Sequence, residues 1–403
     1  MNPAKALKPE NKNISTILAF ALIPLSGFAT DVYIPSLPSM AAQLKVSDIQ
    51  VQMTLSLFLI SYGIGQLFVG SLLDSFGRYR INIISLAIFT LASIIIANTS
   101  NLYLIYTMRI VHGLTVAAIV VSKRAYFIDV FSGEQLKHYL SMFSIIWATA
   151  PIIAPFAGGY LQSYFGWQSN FYFLATFSLV ILILELIFSG ETIRQKMPFN
   201  LTAISTVYTG MIKTTSFTLG IAMLGLSYAM VMIYNMTGPF IIEHELGLSP
   251  IAAGYSSLIL GAAVMVGGLI SKSTINRPFN KRLWINLSIQ VLFGTLMLLS
   301  TSFISNLYAM IFFAFVIHAV SGYTFNSFFT YCLSRFPKNA GIASGLTGGI
   351  NYVIVSLLSY TIIYFIPAKD EANLSYSYLV LITLSLIVML GISRIKKRAD
   401  SAY

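Results

Sequence analysis

Apolar stretches long enough to cross a bilayer recur from Ile14 almost to the C-terminus, with short polar breaks between them. A helix rises 1.5 Å per residue, so roughly 20 residues cover a hydrocarbon core of about 30 Å. On that measure the pattern predicts twelve membrane-spanning helices. They fall near residues 15–37, 49–73, 81–99, 102–122, 140–163, 170–189, 216–240, 251–270, 283–303, 307–332, 341–365 and 376–393. Apolar periodicity lapses from residue 190 to 216, where the run ETIRQKMPFN is polar and basic. The chain is therefore expected to divide into an N-terminal six-helix half (1–189), a linker (190–215) and a C-terminal six-helix half (216–403). Six helices followed by six more is a weak internal repeat. The fold class is an all-α polytopic membrane protein.

Composition supports this. Of 403 residues, 57% are hydrophobic and 9% charged, whereas about a quarter of a soluble domain is charged. A net charge of +11 would suit a nucleic-acid binder if it were gathered on one surface, but its placement follows the helices instead. With the gaps alternating inside and outside and both ends inside, twenty-one of the 24 Lys and Arg fall inside. Two, Lys45 and Lys369, fall outside, and one, Arg109, lies within a helix. Such a bias orients polytopic proteins, so both termini are expected in the cytoplasm and no nucleic-acid partner is expected. A single missed helix would invert every later loop and destroy the split. Cys332 is the only cysteine, which excludes an intramolecular disulfide. The first apolar segment is long and lacks a small-residue cleavage site, so it reads as a retained helix rather than a secretory signal.

One cation stands inside an apolar run. The stretch LYLIYTMRIVHGLTVAAIVV, residues 102–121, carries Arg109. Arginine does not shed its proton, and a fixed charge in hydrocarbon is costly unless it meets a polar cavity or a partner. Arg109 is therefore expected to face a cavity that holds an acid. The acid placed to answer it is Asp31, in ATDVYIPSLP toward the outer end of the first helix, shortly before Pro35 and Pro38. A carboxyl there either caps a local turn at the interface or faces the cavity as the partner of Arg109.

On the inner side, GSLLDSFGRYR (residues 70–80) packs Gly70, Asp74, Gly77 and Arg78 into a short charged turn. It is either a topological anchor or a latch. In the second reading Asp74 faces a helix N-terminus of the other half and Arg78 faces Asp129. The fifth helix carries Pro151, Pro155, Gly158 and Gly159, which predicts a kinked helix with a smooth face. The second half has no acid placed deep in the membrane. Its intramembrane polar residues are Tyr234, Asn235, His318, Tyr323, Asn326, Asn351 and Tyr352. Together with Tyr33 and His112 they either bond between helices or line a binding cavity. Glu185, near the inner end of the sixth helix, is expected to snorkel. Glu243, His244 and Glu245 are expected to lie solvated in an outer loop; acids flanking one histidine are weak evidence for a metal, and none is expected.

Several of these stretches carry a resemblance. They are ATDVYIPSLPSM, VQMTLSLFLISYGIGQLFVGSLLDSFGRYR, RIVHG with the following RAYFIDVF, PIIAPFAGGYLQSYFGWQSNFYFLA, GPFIIEHELGLSP and FPKNAGIASGL. Together they resemble the major facilitator superfamily, in its twelve-helix drug:proton antiporter group, and more narrowly the Bcr/CflA family of bicyclomycin- and chloramphenicol-type exporters. The resemblance implies that Asp31 takes part in proton or substrate coupling. It implies that Gly70, Asp74, Gly77 and Arg78 latch the inner gate, that Arg109 and Gly113 belong to a proton-coupling motif, and that Pro155, Gly158 and Gly159 form the antiporter motif. The chain departs from the pattern at Ser75 and Tyr79, where basic residues are usual, and at His112, where Gln is common. Ala154 replaces a glycine, and Gln168 follows Trp167 where Arg is common.

The function so implied is proton-coupled export of a small amphipathic molecule across a bacterial inner membrane by alternating access. It needs no catalytic residue and no cofactor. The partners are the substrate, protons and the bilayer, and the expected state is a monomer. Export of one specialised metabolite such as a siderophore, and proton-coupled uptake, stay open as alternatives. No Gly-rich phosphate loop with its lysine is present, which argues against ATP drive.

Overall fold

In the computed structural model, which describes residues 5–193, 201–336 and 340–400, the first span is not one rod. Residues Pro9–Leu44 cross in pieces: a 3-10 turn, α1 (Lys12–Leu22), α2 (Leu25–Asp31), a second 3-10 turn at Ile34–Ser36, and α3 (Leu37–Leu44). A proline stands at each interruption, Pro24 before α2 and Pro35 in the second turn. Proline has no N–H to continue the ladder, so the helix restarts beyond it. The expected end at residue 37 is therefore too early, and Asp31 is not at the outer end. It lies inside the bundle, 1% exposed.

Next come α4 (Asp48–Phe76), α5 (Arg78–Ala97), α6 (Leu102–Val130), α7 (Gly133–Phe165), α8 (Gln168–Phe188), α9 (Leu201–Ile212) and α10 (Thr215–Phe240). A π turn, Ile241–Glu245, extends α10. The remaining helices are α11 (Pro250–Ser273), α12 (Phe279–Ser300), α13 (Leu307–Ser334), α14 (Ala340–Phe365) and α15 (Glu371–Asp400). Among the described residues, eleven helical units are long and apolar enough to cross a membrane. The long α7 is the remaining one of the twelve expected. Several helices outrun their apolar stretch. Backbone hydrogen bonding continues past the hydrocarbon, so α6 reaches Val130 and α7 begins at Gly133. The linker holds a helix of its own, α9. The basic positions Arg194, Lys196 and Lys338 lie outside the described residues.

Two large apolar clusters make up the core. One gathers Leu22, Leu55, Phe58, Phe89 and Phe171 from the first eight helices. The other gathers Phe217, Leu224, Leu287, Ala314 and Tyr378 from α10 onward. The first crosses the seam between them through Met236, Phe240 and Tyr352.

The seam is built from small residues. On α4 and α14, a Cβ added at Gly63 would stand 2.6 Å from Gly349 O. On α7 and α11, one at Gly159 would stand 2.7 Å from Pro250 O, and one at Gly254 2.9 Å from Pro155 O. Lipid tails are as apolar as leucine, so close backbone approach is what drives membrane helices together. Pro151 and Pro155 do lie inside α7, and Gly158 packs directly on the carbonyl of Val32 at the broken end of α2. Side-chain hydrogen bonds also cross the seam. Gln52 Nε2 donates to Met236 O at 2.7 Å, Ser356 Oγ to Ser56 O at 2.8 Å, and Arg124 Nη1 to Ser344 Oγ at 3.0 Å. The phenols of Tyr160 and Tyr255 meet at 3.1 Å.

Candidate functional site

Arg109 sits on α6 two turns from its start, and Gly113 one turn later lets α6 close onto Ser61 and Phe58 of α4. That contact presses the guanidinium against the first span. The side chain is fully buried. Its Nη1 donates to Ala29 O at 2.9 Å and lies 3.4 Å from His112 Nδ1. Nη2 donates to the Tyr33 hydroxyl at 3.3 Å and Nε to Thr54 O at 3.4 Å. Ala29 lies in the last turn of α2, where carbonyls lack a full helical ladder. The rings of Tyr33 and Phe58 lie 4.6 and 4.4 Å from the guanidinium carbon, which adds cation–π attraction in a dry site. The expectation is that Arg109 faces a cavity that holds an acid; the side chain is instead enclosed. Neutral acceptors and two aromatic faces surround it, and it makes no ion pair among the described residues.

Asp31 is close to this cluster without joining it. Its Oδ1 accepts from Asn235 Nδ2 of α10 at 3.3 Å, a contact that crosses the seam. Its Oδ2 is shut off from solvent and has no hydrogen-bond partner among the described residues. The carboxyl lies within electrostatic range of Arg109, Tyr228 and Tyr352. Around it the aromatics form a wall: Tyr62 meets Tyr352 at 4.7 Å between centroids, and Tyr228 meets Tyr352 at 5.9 Å. Asn351, beside Tyr352 in the chain, is buried, and its Oδ1 has no hydrogen-bond partner among the described residues. Of the candidates from sequence, the structure thus gathers Asp31, Arg109, Tyr33, His112, Asn235 and Tyr352.

The others go elsewhere. His318 Nε2 meets Tyr378 OH at 3.0 Å and its ring abuts Tyr234, deep in the second core cluster. Tyr323 bonds Thr274 at 2.8 Å, and Asn326 is exposed and reaches Gly268 O at 3.4 Å. Glu185 does not snorkel. It is fully buried, paired with Lys123 Nζ at 2.7 Å and accepting from Asn82 at 3.1 Å. Because α6 runs on beyond residue 122, Lys123 is carried into the interior where it meets this acid. Glu243 is also misplaced as a solvated loop residue. The π turn keeps it half-buried with one oxygen out of solvent, while His244 and Glu245 are exposed. No cluster of three potential metal ligands occurs among the described residues.

At the turn between α4 and α5, Gly77 has φ 99°, and Gly70 meets no neighbour. Arg78 contacts Asp129 directly and Asp74 at 3.2 Å. Asp74 pairs with Arg78 of its own turn, its side chain 45% exposed, and makes no ion pair with the other half among the described residues. A residue missed in the sequence completes the turn: Glu191 accepts from the N–H groups of Arg78 and Tyr79 at 3.1 and 3.3 Å. Those are the orphan donors at the start of α5, and an acid near them was the available signal.

The fold defines a multi-pass membrane protein of transporter architecture. The model of the Major Facilitator Superfamily matches residues 19–359, and the chain belongs to that superfamily. An uncharacterized MFS-type transporter, YdgK of Bacillus subtilis, is 28% identical over 82% of this chain and 83% of that protein. Multidrug resistance protein D of Escherichia coli is 24% identical over 90% and 92%. The bicyclomycin resistance protein homolog of Haemophilus influenzae is 32% identical over 48% of each chain. Among solved structures, a D-xylose-proton symporter matches with a TM-score of 0.72 at 15% identity, covering 94% of this chain and 96% of that one.

Proposed function

We propose that this protein is a proton-coupled exporter of small amphipathic molecules, with Asp31 as the coupling carboxyl and Arg109 as its fixed counter-charge. One observation carries the reading: a buried carboxylate at the seam, bonded across it by Asn235, with its second oxygen unpartnered among the described residues. Such a group binds either a proton or a cation. Protonation removes the negative charge that a cationic substrate would use, so the two compete and their fluxes are coupled. The tyrosine wall offers π faces to the apolar and cationic parts of such a substrate. Residues 1–189 and 216–403 are the two rocking bodies and 190–215 their linker, with the small-residue seam as the moving surface. Proton entry supplies about 2.3 kcal/mol per charge for each 100 mV of membrane potential. Relatives named for multidrug and bicyclomycin resistance favour export over uptake. The membrane is the bacterial inner membrane, with both termini cytoplasmic, and the Arg78–Asp129 contact is part of the inner latch.

The test is proton release on adding tetraphenylphosphonium to the purified protein in weakly buffered detergent. Wild type is expected to release protons, and Asp31→Asn to release none and to bind the probe more weakly with no dependence on pH. Release by Asp31→Asn equal to that of wild type would remove Asp31 from the coupling role. Direction is read from cells: overproduction should lower internal probe, and a rise would mean uptake.

A further inference from the structure

His112 is the ring wedged between Arg109 and the helix behind it. Its Nδ1 lies 3.4 Å from Arg109 Nη1, and its Nε2 lies 3.0 Å from Ser93 Oγ on α5. The ring is fully buried, stacked on Phe89 at 4.4 Å between centroids, with Phe171 of α8 at 6.5 Å. A guanidinium has donors only, so the nitrogen that faces it carries no proton. Ser93 donates its own hydroxyl proton to Phe89 O at 2.9 Å, which leaves its oxygen to accept. Both neighbours therefore require the same tautomer, with a bare Nδ1 and the proton on Nε2. An imidazolium would set N–H against N–H at the arginine.

We infer that His112 is a positioning residue for Arg109: as a neutral imidazole it helps hold the guanidinium on Ala29 O and Tyr33, turned from Asp31, and on gaining a proton it releases it. This rests on the coupling roles proposed above for Asp31 and Arg109. Arg109 is the charged group that faces the ring from its own helix. Asp31 and Tyr33, from the first span, reach the ring only through that arginine. The neighbours from α5 and α8 are Phe89, Ser93 and Phe171, none of them charged. Two contrasting substitutions follow. In His112→Gln the amide oxygen accepts from Arg109 and the amide N–H donates to Ser93, so the order of the network is kept without a titrating group. In His112→Leu the arginine loses an acceptor in a fully buried site.

The experiment has two arms. In the first, protein labelled with nitrogen-15 histidine is examined by NMR near pH 7, with the His112 signals assigned by their loss in His112→Gln. The expected spectrum shows a neutral ring protonated at Nε2. A ring protonated at Nδ1, or an imidazolium, would overturn the inference. The second arm measures tetraphenylphosphonium exchange in proteoliposomes at equal pH on both sides, where no net proton flux enters. Wild type is expected to lose about a further tenfold for each pH unit below the midpoint of the histidine, beyond the loss that protonating Asp31 brings. His112→Gln should keep only the shallower acid limb set by Asp31, one proton less steep than wild type, and His112→Leu should be weak at every pH. An acid limb in His112→Gln like that of wild type, or full exchange by His112→Leu, would equally overturn it. If wild type exchanges no probe, the transport reading fails, and the NMR arm still decides what His112 does.

Discussion

Replacing Glu185 by Gln removes one charge from a pair that solvent does not reach. Glu185 is fully buried, and the side chain of Lys123 is 7% exposed at 2.7 Å from it. At that separation and an effective dielectric of about 20, the gross attraction is on the order of 6 kcal/mol. Desolvation of both ions offsets much of it, so the pair adds little net stability over two apolar residues. The asymmetry lies in breaking it. The glutamine still faces Asn82, but the ammonium of Lys123 is left buried without a counter-charge, a loss of about 3–5 kcal/mol. For a unit of 150–250 residues each kcal/mol is worth roughly 2–4 °C, so the melting point should fall by on the order of 10 °C. The double variant Lys123→Met with Glu185→Leu should melt close to wild type, since neither charge remains. Intrinsic-fluorescence melting of the three proteins in one detergent gives the comparison. A Glu185→Gln protein melting with wild type, or a double variant as weak as the single, would refute the argument that an orphaned charge sets the cost.

Two further outcomes are expected. Gly159→Ala places a methyl against Pro250 O across the α7–α11 seam, where overpacking costs about 1–3 kcal/mol, and it should part that end of the bundle. Spin labels on Tyr164 and Leu248 should show longer distances than in wild type, and unchanged distances would mean that the seam yields without opening. In a Cys332→Ala background, an impermeant thiol reagent added outside intact cells should label a cysteine at Lys369 and not one at Lys137. The reverse pattern would invert the topology drawn from the basic residues.

The spans were legible because hydropathy acts over whole helices. What hydropathy does not register is where a helix stops in the polar interface, and this is why Lys123 looked like a loop residue and Glu185 like an exposed one. Arg109 was identifiable as exceptional from a single charge in an apolar run. Its ligands were not, because the groups it uses are largely backbone: Ala29 O and Thr54 O exist at every position in every sequence. Only the break at Pro35, which ends α2, hinted that carbonyls would be free nearby. Asn235 was one of seven polar candidates in the second half, and nothing in the pattern ranked it above His318. Which faces meet across the seam is a tertiary fact, settled by the packing of Gly63, Gly159 and Gly254.

Two of the bonds across the seam end on main-chain oxygens, Gln52 on Met236 O and Ser356 on Ser56 O. A carbonyl has two lone pairs, and in a helix one of them is already satisfied. When the two surfaces separate, the acceptor therefore returns to an ordinary helical state, and only the donor must find a new partner. The arrangement also survives drift: no substitution at Met236 or Ser56 deletes the oxygen. Inheritance of the joint then depends on one side chain per bond rather than two. A lineage can alter the face opposite each donor, and with it the residues that a transported molecule would meet, while the joint on which the bundle turns persists.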